Sequence, residues 1–222
     1  MKFISIDERL SSIANMVDPC NIIADIGTDH GYLPIYLIQS NKVKKAIASD
    51  VAIGPLNKAK ENIAKYELSD VITTILCDGL SKIPSQVDVV IMAGMGANLI
   101  AEIITQANYK YDTYILQANL NVNFLRKYLS ENGFEIIDET VTFSHKKFYE
   151  ILKVKQGHKA LTENEIKYGP INLIKKEKLF VSMWESISNN YKKILVDFKG
   201  SKEEFDRITK EINDIDDMLK AA

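Results

Sequence analysis

Read for its apolar and polar positions, the first two thirds of the chain alternates between two periods. Apolar runs at 21–26, 44–49, 71–76, 87–93 and 112–117 are too short for helices and bounded by turn residues. They predict strands. Between them, 32–40, 53–66, 97–106 and 121–132 carry apolar side chains at helical spacing, and a leading stretch at 7–17 does the same through Leu10, Ile13, Ala14 and Val17. Strand and helix in alternation predict right-handed βαβ units and a parallel sheet covered on both faces. Gly133 falls where a helix C-terminal glycine is expected.

The pattern then changes twice. Phe134–Ser144 and Phe148–Val154 are strand-like and separated only by His145-Lys146-Lys147, too short for a helical crossover, so they predict an antiparallel hairpin. A mostly parallel, Rossmann-like α/β sheet closed by a late antiparallel hairpin is the plan of a class I methyltransferase. From about Gly157 the period is helical throughout. Phe180, Trp184, Ile187, Tyr191, Ile194 and Phe198 form one heptad-like seam, and Phe205, Ile208, Ile212, Ile215 and Leu219 form another. Gly200 fits a helix C′ position, and Ser201 with Glu204 reads as a capping box. The tail is therefore expected to be an antiparallel coiled-coil hairpin, resting on a third helix around 162–176. Two domains follow, 1–158 and 159–222.

Bulk properties narrow the classes. A chain of 222 residues holds one α/β domain and a small appendage, with 26% charged residues and no bilayer-length apolar run. The polar start, Met1 to Arg9, is unlike an export signal, and Cys20 and Cys77 read as separate buried thiols, which suits the cytoplasm. No Cys/His cluster has metal-ligand spacing, so no metal is expected. A net charge of −2 lacks the global basic excess of many nucleic-acid binders. An RNA partner would need local positive charge, for which Lys42-Lys44-Lys45, Arg126-Lys127, Lys146-Lys147, Lys153-Lys155 and Lys175-Lys176-Lys178 are candidates, expected to gather at the pocket mouth and along the helical hairpin.

The candidate chemistry lies at the strand ends. The first strand runs into Asp25-Ile-Gly27-Thr28-Asp29-His30-Gly31, where glycines admit a ligand to the backbone and the next helix offers unpaired N–H groups. Asp29 and His30 stand where a nicotinamide-binding loop has glycine. An acid there repels pyrophosphate and tolerates the cationic sulfonium and ammonium of S-adenosylmethionine. Asp50, beside Val51, closes the second strand and suits the ribose hydroxyls, and Asp78-Gly79 closes the third, within reach of an adenine amino group. Each acid alone is a common turn former. The fourth strand ends in Gly94-Met95-Gly96-Ala97-Asn98 and lacks the Asn/Asp-Pro-Pro-aromatic loop of exocyclic-amine methyltransferases, leaving space for a base.

Along most of its length the chain resembles the bacterial tRNA (adenine(22)-N(1))-methyltransferase family, TrmK. The residues that carry the likeness are Arg9-Leu10, Ala24-Asp-Ile-Gly-Thr-Asp-His30, Tyr32-Leu-Pro34, Gly54-Pro55, Asp78-Gly-Leu80, Ala93-Gly-Met-Gly96, Leu116-Gln117, Asn119 and Gly169-Pro170. Ala97 replaces a usual glycine and Ala118 a usual proline, the latter expected to loosen the loop after the fifth strand. The resemblance implies methyl transfer from S-adenosylmethionine to adenine N1 in the D-arm region of tRNA, with a helical coiled-coil tail.

On this reading Asp25, Gly27, Thr28, His30, Gly31, Asp50, Val51, Asp78, Gly79, Gly94 and Met95 face the cofactor, and Arg9, Tyr32, Gly96, Asn98 and Asn119 face the substrate. Asp29 either stabilises the cationic methylated base as the catalytic carboxylate or caps a helix. His30 either shapes the pocket or is a satisfied core histidine, and Arg9 either holds substrate phosphate or pairs with a pocket acid. Two other classes stay open: a small-molecule methyltransferase of this fold, and a non-catalytic RNA-binding protein that keeps S-adenosylmethionine as a ligand. The apolar seam can be satisfied within one chain and implies no oligomer.

Overall fold

A computed structural model describes residues 3–221. By backbone contacts it divides into two compact units, one up to Ile174 and one from Lys175. The expected boundary at 158/159 falls earlier, and residues 159–174 pack with the first unit.

In the first unit, seven strands form one sheet in the order β3-β2-β1-β4-β5-β7-β6. They are β1 Cys20–Ile26, β2 Val43–Asp50, β3 Ile72–Leu76, β4 Val89–Met95, β5 Thr113–Ala118, β6 Phe134–Ser144 and β7 Lys147–Gln156. The pairs among β1 to β5 are parallel, and β7 runs antiparallel to both β5 and β6. This is the expected class I methyltransferase plan. The crossovers carry α2 Tyr32–Gln39, α3 Ile53–Lys65, α4 Ala97–Gln106 and α5 Val122–Glu131, and α1 Glu8–Met16 leads.

The central strands are apolar on both faces because helices cover both. Along β4, Val90 and Met92 pack into one core with Ile100, Ile104, Leu125 and Leu129 from α4 and α5. The alternate residues Val89 and Ile91 join Ile13, Ile35, Leu37 and Ile63 from the helices of the other face. Strand order reverses between β1 and β4. Their carboxyl ends therefore diverge into separate loops, which opens a crevice there.

Three details depart from the periodicity. The hairpin turn is two residues, His145 and Lys146, both at positive φ (48° and 64°), and Lys147 already belongs to β7. β4 runs on to Met95 with a bulge at Gly94, so the expected open loop there is partly strand. The expected helix at 162–176 is two short ones, α6 Glu163–Tyr168 and α7 Asn172–Lys175. Gly169 (φ 95°) and Pro170 break it, since proline brings no N–H to continue the ladder.

What fixes the 162–174 segment is a buried ion cluster. Arg126 and Glu139 are fully buried, with Arg126 Nε donating to Glu139 Oε1 at 2.7 Å and its Nη2 donating to Glu150. Glu139 Oε2 accepts the backbone N–H groups of Ile171 and Asn172 at 2.9 and 3.3 Å. The guanidinium is thus paired and hydrogen-bonded, the condition under which a charge can be buried. It is unavailable to RNA, which corrects the expectation for Arg126.

The second unit holds α8 Lys178–Val196 and α9 Lys202–Lys220. Ser188 Oγ and Lys192 Nζ both reach Asp216 at 2.8 Å, while Phe198 meets Phe205 across the turn, so the pair is antiparallel. The capping box Ser201–Glu204 is present. The Gly200 reading is not: α8 stops at Val196 with Asp197 as its cap, and Phe198 lies beyond the helix. Phe180, Met183, Ile212, Ile215 and Met218 are buried, whereas Ile194 and Phe205 near the turn are exposed. Among the described residues no helix is long and apolar enough to cross a membrane.

Candidate active site

A cleft of about 560 Å³ opens at the carboxyl ends of the strands in the first unit. Asp25, Gly27, Thr28, Asp29, His30 and Tyr32 line it from the β1–α2 segment, Ala93 and Gly94 from β4, and Asn119 from the β5 end. Arg9 lines it from α1. Nine of the residues expected from sequence meet here.

The β1 loop is shaped by close contacts. Gly27 (φ 73°) and Thr28 donate their backbone N–H groups to Ser49 O at 2.8 and 2.9 Å, tying the loop to the end of β2. A Cβ on Gly27 would lie 2.6 Å from Met95 Cε, so glycine is needed for conformation and space alike. Gly31 (φ 71°) is the N-cap of α2, and a Cβ there would press on Ala59 of α3 at 3.3 Å. Its smallness serves helix packing.

Asp25 is the buried acid of the site. Thr28 Oγ1 donates to its Oδ2 at 2.7 Å. Burial pushes its pKa up to about 6, against the pull of Thr28 and Arg9. Nearby Asp50 adds to the upward push. A carboxylate raised in this way gains by meeting a cation. Asp29 is different: it is exposed, sits at positive φ (48°), and approaches His30 Nε2 at 3.5 Å. α2 has no side-chain cap, so the helix-capping reading of Asp29 is corrected. His30 is not a satisfied core histidine either. Its ring stacks on Tyr32 at 5.2 Å, is partly exposed, and leaves Nδ1 buried without a partner among the described residues.

The opposite wall is held by Gln117, a fully buried polar side chain on β5. Its Oε1 accepts from Arg9 Nη1 at 2.8 Å and from the Gly94 N–H at 3.2 Å. Its Nε2 donates to Asn119 Oδ1 at 3.1 Å, and Asn119 returns to β4 through Nδ2 to Gly94 O (2.7 Å) and N to Met95 O (2.8 Å). The loop bearing Ala118 is therefore tied down, contrary to the loosening expected there. Arg9 also lies over the Tyr149 ring, 5.8 Å from its centroid. It pairs with an amide and an aromatic face; its influence on Asp25 acts across space.

The other expected residues lie beside the lining. Asp50 ends β2, accepting Ala52 N–H at 2.8 Å on Oδ1, and in register opposite it stands Leu76 of β3. Val51, Ile53 and Leu76 are exposed apolar side chains around these ends, with Asp78 and Gly79 following. Gly79 (φ 49°) leaves room for Ile103. Met95, Gly96 and Asn98 lead into α4, outside the cleft lining.

Sequence reasoning missed Asp7, His145 and Tyr149. Asp7 caps α1, accepting Leu10 N–H at 2.8 Å, and its other oxygen lies 3.7 Å from His145 Nδ1. An Asp before a helical run is a capping signal, so that role was legible. Its place in the cleft depends on the hairpin, which brings His145 and Tyr149 to it from far along the chain.

The basic clusters divide. Lys42 donates to Ala14 O, Asn15 O and Val17 O at the end of α1, Lys44 to Asn21, and Lys153 to Asp18 at 2.5 Å. All belong to the amino ends of the parallel strands, remote from the cleft. Lys146 and Lys147 alone among the expected clusters adjoin a cleft residue, His145.

The family model described as tRNA (adenine(22)-N(1))-methyltransferase, TrmK, matches residues 23–218, from the start of the β1 motif almost to the end of α9. The chain belongs to the TrmK family. The Bacillus subtilis tRNA (adenine(22)-N(1))-methyltransferase is 30% identical over 194 residues, 83% of this chain and 82% of that protein. Among solved structures, Streptococcus pneumoniae Sp1610 with S-adenosyl-L-methionine superposes with a TM-score of 0.86 at 33% identity, covering 97% of this chain and 100% of the other. M. capricolum TrmK with S-adenosyl-homocysteine gives 0.83 at 32% identity, covering 98% of each. This TrmK chain thus shares its whole fold, helical tail included, with relatives solved holding the methyl donor or its product.

The residues present fit that donor. A buried, raised carboxylate, an acid-lined cleft and exposed apolar side chains at the β2 and β3 ends suit a cation attached to a ribose and an adenine.

Proposed function

We propose that this TrmK chain methylates N1 of adenine 22 in tRNA, and that the cleft residues divide the work as follows. Asp25, Gly27 and Thr28 hold the methionine end of S-adenosylmethionine, Asp50 takes the ribose, and Asp78 with Val51 and Leu76 takes the adenine. The bound group supplies a methyl already activated on a sulfonium. The protein's own task is placement and charge. Aligning two reactants is worth up to about 7–11 kcal/mol in favourable systems.

Adenine N1 lies on the Watson–Crick edge, so the base must leave its pair before it reaches the cleft. The His30–Tyr32 stack and Asn119, anchored to the β4 end, give the base an aromatic face and an edge to meet. N1 attacks through its lone pair and loses no proton, so no general base is needed. The product base is cationic. Asp29, exposed and uncapped at the cleft edge, faces that charge as it develops. Arg9, fixed by Gln117, positions the wall and keeps its guanidinium from the base.

The observation that carries the reading is the acid-lined cleft in a chain of this family. Incubating the protein with labelled S-adenosylmethionine and unmodified tRNA, then digesting the tRNA, is expected to yield 1-methyladenosine at position 22. Label in a free nucleoside but none in tRNA would replace this reading with a small-molecule enzyme. Tight donor binding with no transfer to either would make the protein a non-catalytic binder.

A further inference from the structure

We infer that the tip of the β6–β7 hairpin is a nucleic-acid contact, in which Lys146 and Lys147 hold phosphates of the strand beside the target base and Phe143 offers a stacking face. The inference rests on the reading of tRNA as substrate and specifies where the polynucleotide leaves the cleft.

The cleft lining carries Asp7, Asp25 and Asp29 against a single arginine, Arg9, which is held by Gln117, so the cleft admits a base more readily than a phosphate. The backbone on either side of the base must then be met at the rim. With a net charge of −2, the chain offers phosphates no general attraction. At the rim, His145 of the hairpin turn lines the cleft, and the next two residues are exposed lysines. Among the described residues neither has an ion-pair or hydrogen-bond partner, while Lys42, Lys44 and Lys153 are all tied at the other end of the sheet.

Two features of the tip oppose folding and so invite a functional explanation. Both turn residues have φ above zero, a conformation for which Asn-Gly is the relaxed choice and His-Lys is not. Phe143 is 44% exposed, although its register partner Phe148 lies 4.7 Å away and could have drawn it under cover. An exposed ring on the same hairpin tip as two lysines is a combination with which proteins stack bases and hold phosphates of single strands. The register sets Phe143 on the face away from cleft-lining Tyr149, so the strand it meets is the one that passes over the tip.

The test uses Lys146→Gly, the double change Lys146→Gly with Lys147→Gln, and Phe143→Ala in the full chain. Glycine relieves the positive φ, so Lys146→Gly is expected to melt no lower than the unaltered protein while binding unmodified tRNA about 3- to 10-fold more weakly. The double change is expected to flatten the slope of log affinity against log salt by about 2, near 1 for each phosphate contact. Phe143→Ala is expected to weaken binding about 5-fold with the salt slope intact. Calorimetry should show unchanged affinity for S-adenosylmethionine in all three. A double variant with the unaltered protein's tRNA affinity and salt slope overturns the hairpin assignment alone. An unaltered protein that binds no tRNA at any salt concentration overturns the substrate reading, and the hairpin assignment with it.

Discussion

At the amino ends of the parallel strands the charged side chains are occupied by the fold, and at the carboxyl ends they are occupied only in part. Asp88 accepts the N–H groups of Asn21 and Ile22 at 2.8 Å each, Lys42 gathers three carbonyls of the α1 terminus, and Lys153 pairs with Asp18. Cys20 sits among them, its thiol pushed up to about 11 by burial and by Asp88 and Asp18, and is inert. At the other end Asp25 is buried with a raised pKa, and among the described residues Asp29 caps no helix and His30 Nδ1 has no partner, while three glycines of the cleft loops hold positive φ. The same residue types therefore mean different things at the two ends. Full local satisfaction marks the structural end, and incomplete satisfaction marks the end that binds.

The largest effect expected from this contrast concerns Asp25. Its pKa in the fold, about 6, is above its ordinary value of 3.8, so the folded state binds the proton more tightly than the unfolded one. Stability from this group is therefore present at low pH and lost as pH rises toward 6, by about 3 kcal/mol in all. Asp25→Asn removes the titration. Its stability relative to the unaltered protein should improve by about 3 kcal/mol between pH 3 and pH 8, measured by urea unfolding. Over the same range the unaltered protein should bind S-adenosylmethionine more tightly as the carboxylate ionises. A stability difference that is flat with pH would remove Asp25 as the strained acid of the site.

Next in size is Asp29. Asp29→Gly removes the carboxylate and relieves the positive φ, so it should lower the methylation rate about 10²-fold while leaving stability unchanged or raised by about 0.5–1 kcal/mol. Single-turnover kinetics with saturating tRNA and donor check the rate, and thermal melts check the fold. A variant with full turnover would leave the developing charge without its partner in this scheme.

The sheet and its crossovers were legible because each buried strand is a short apolar run and each covering helix keeps its own period. The ends of the first four strands were equally legible, since an acid or glycine interrupts each of those runs, and the interruptions after the first and fourth supplied most of the cleft. Long-range partners left no local trace. Arg126 stands beside Lys127 and reads as a basic pair, yet Glu139 and Glu150 across two strands bury it. Gln117 carried a fainter signal, a polar residue inside Tyr114-Ile-Leu-Gln-Ala, whose hydrogen bonds only the β4 bulge and Arg9 could reveal. Asp7 could be read as a cap but not as a cleft residue, because the hairpin that completes that wall arrives more than a hundred residues later.

Smaller effects should follow at the structural end, and they sharpen the contrast by sparing binding. Asp88→Ala strips the acceptor from two backbone N–H groups, bonds of the charge-assisted kind, and should cost about 1–3 kcal/mol of stability. Lys42→Met keeps an apolar stem but leaves the carbonyls of Ala14, Asn15 and Val17 to water. Its cost should be near 1 kcal/mol, that of one helix-end interaction. In both variants the donor affinity measured by calorimetry and the single-turnover methylation rate of the folded fraction should match the unaltered protein. The cleft is built from the opposite termini of the same strands, and the apolar middles of β1 and β4 stand between the two ends. Should Lys42→Met alter donor affinity as much as it alters stability, the two ends would be coupled, and the division of labour between them would have to be abandoned.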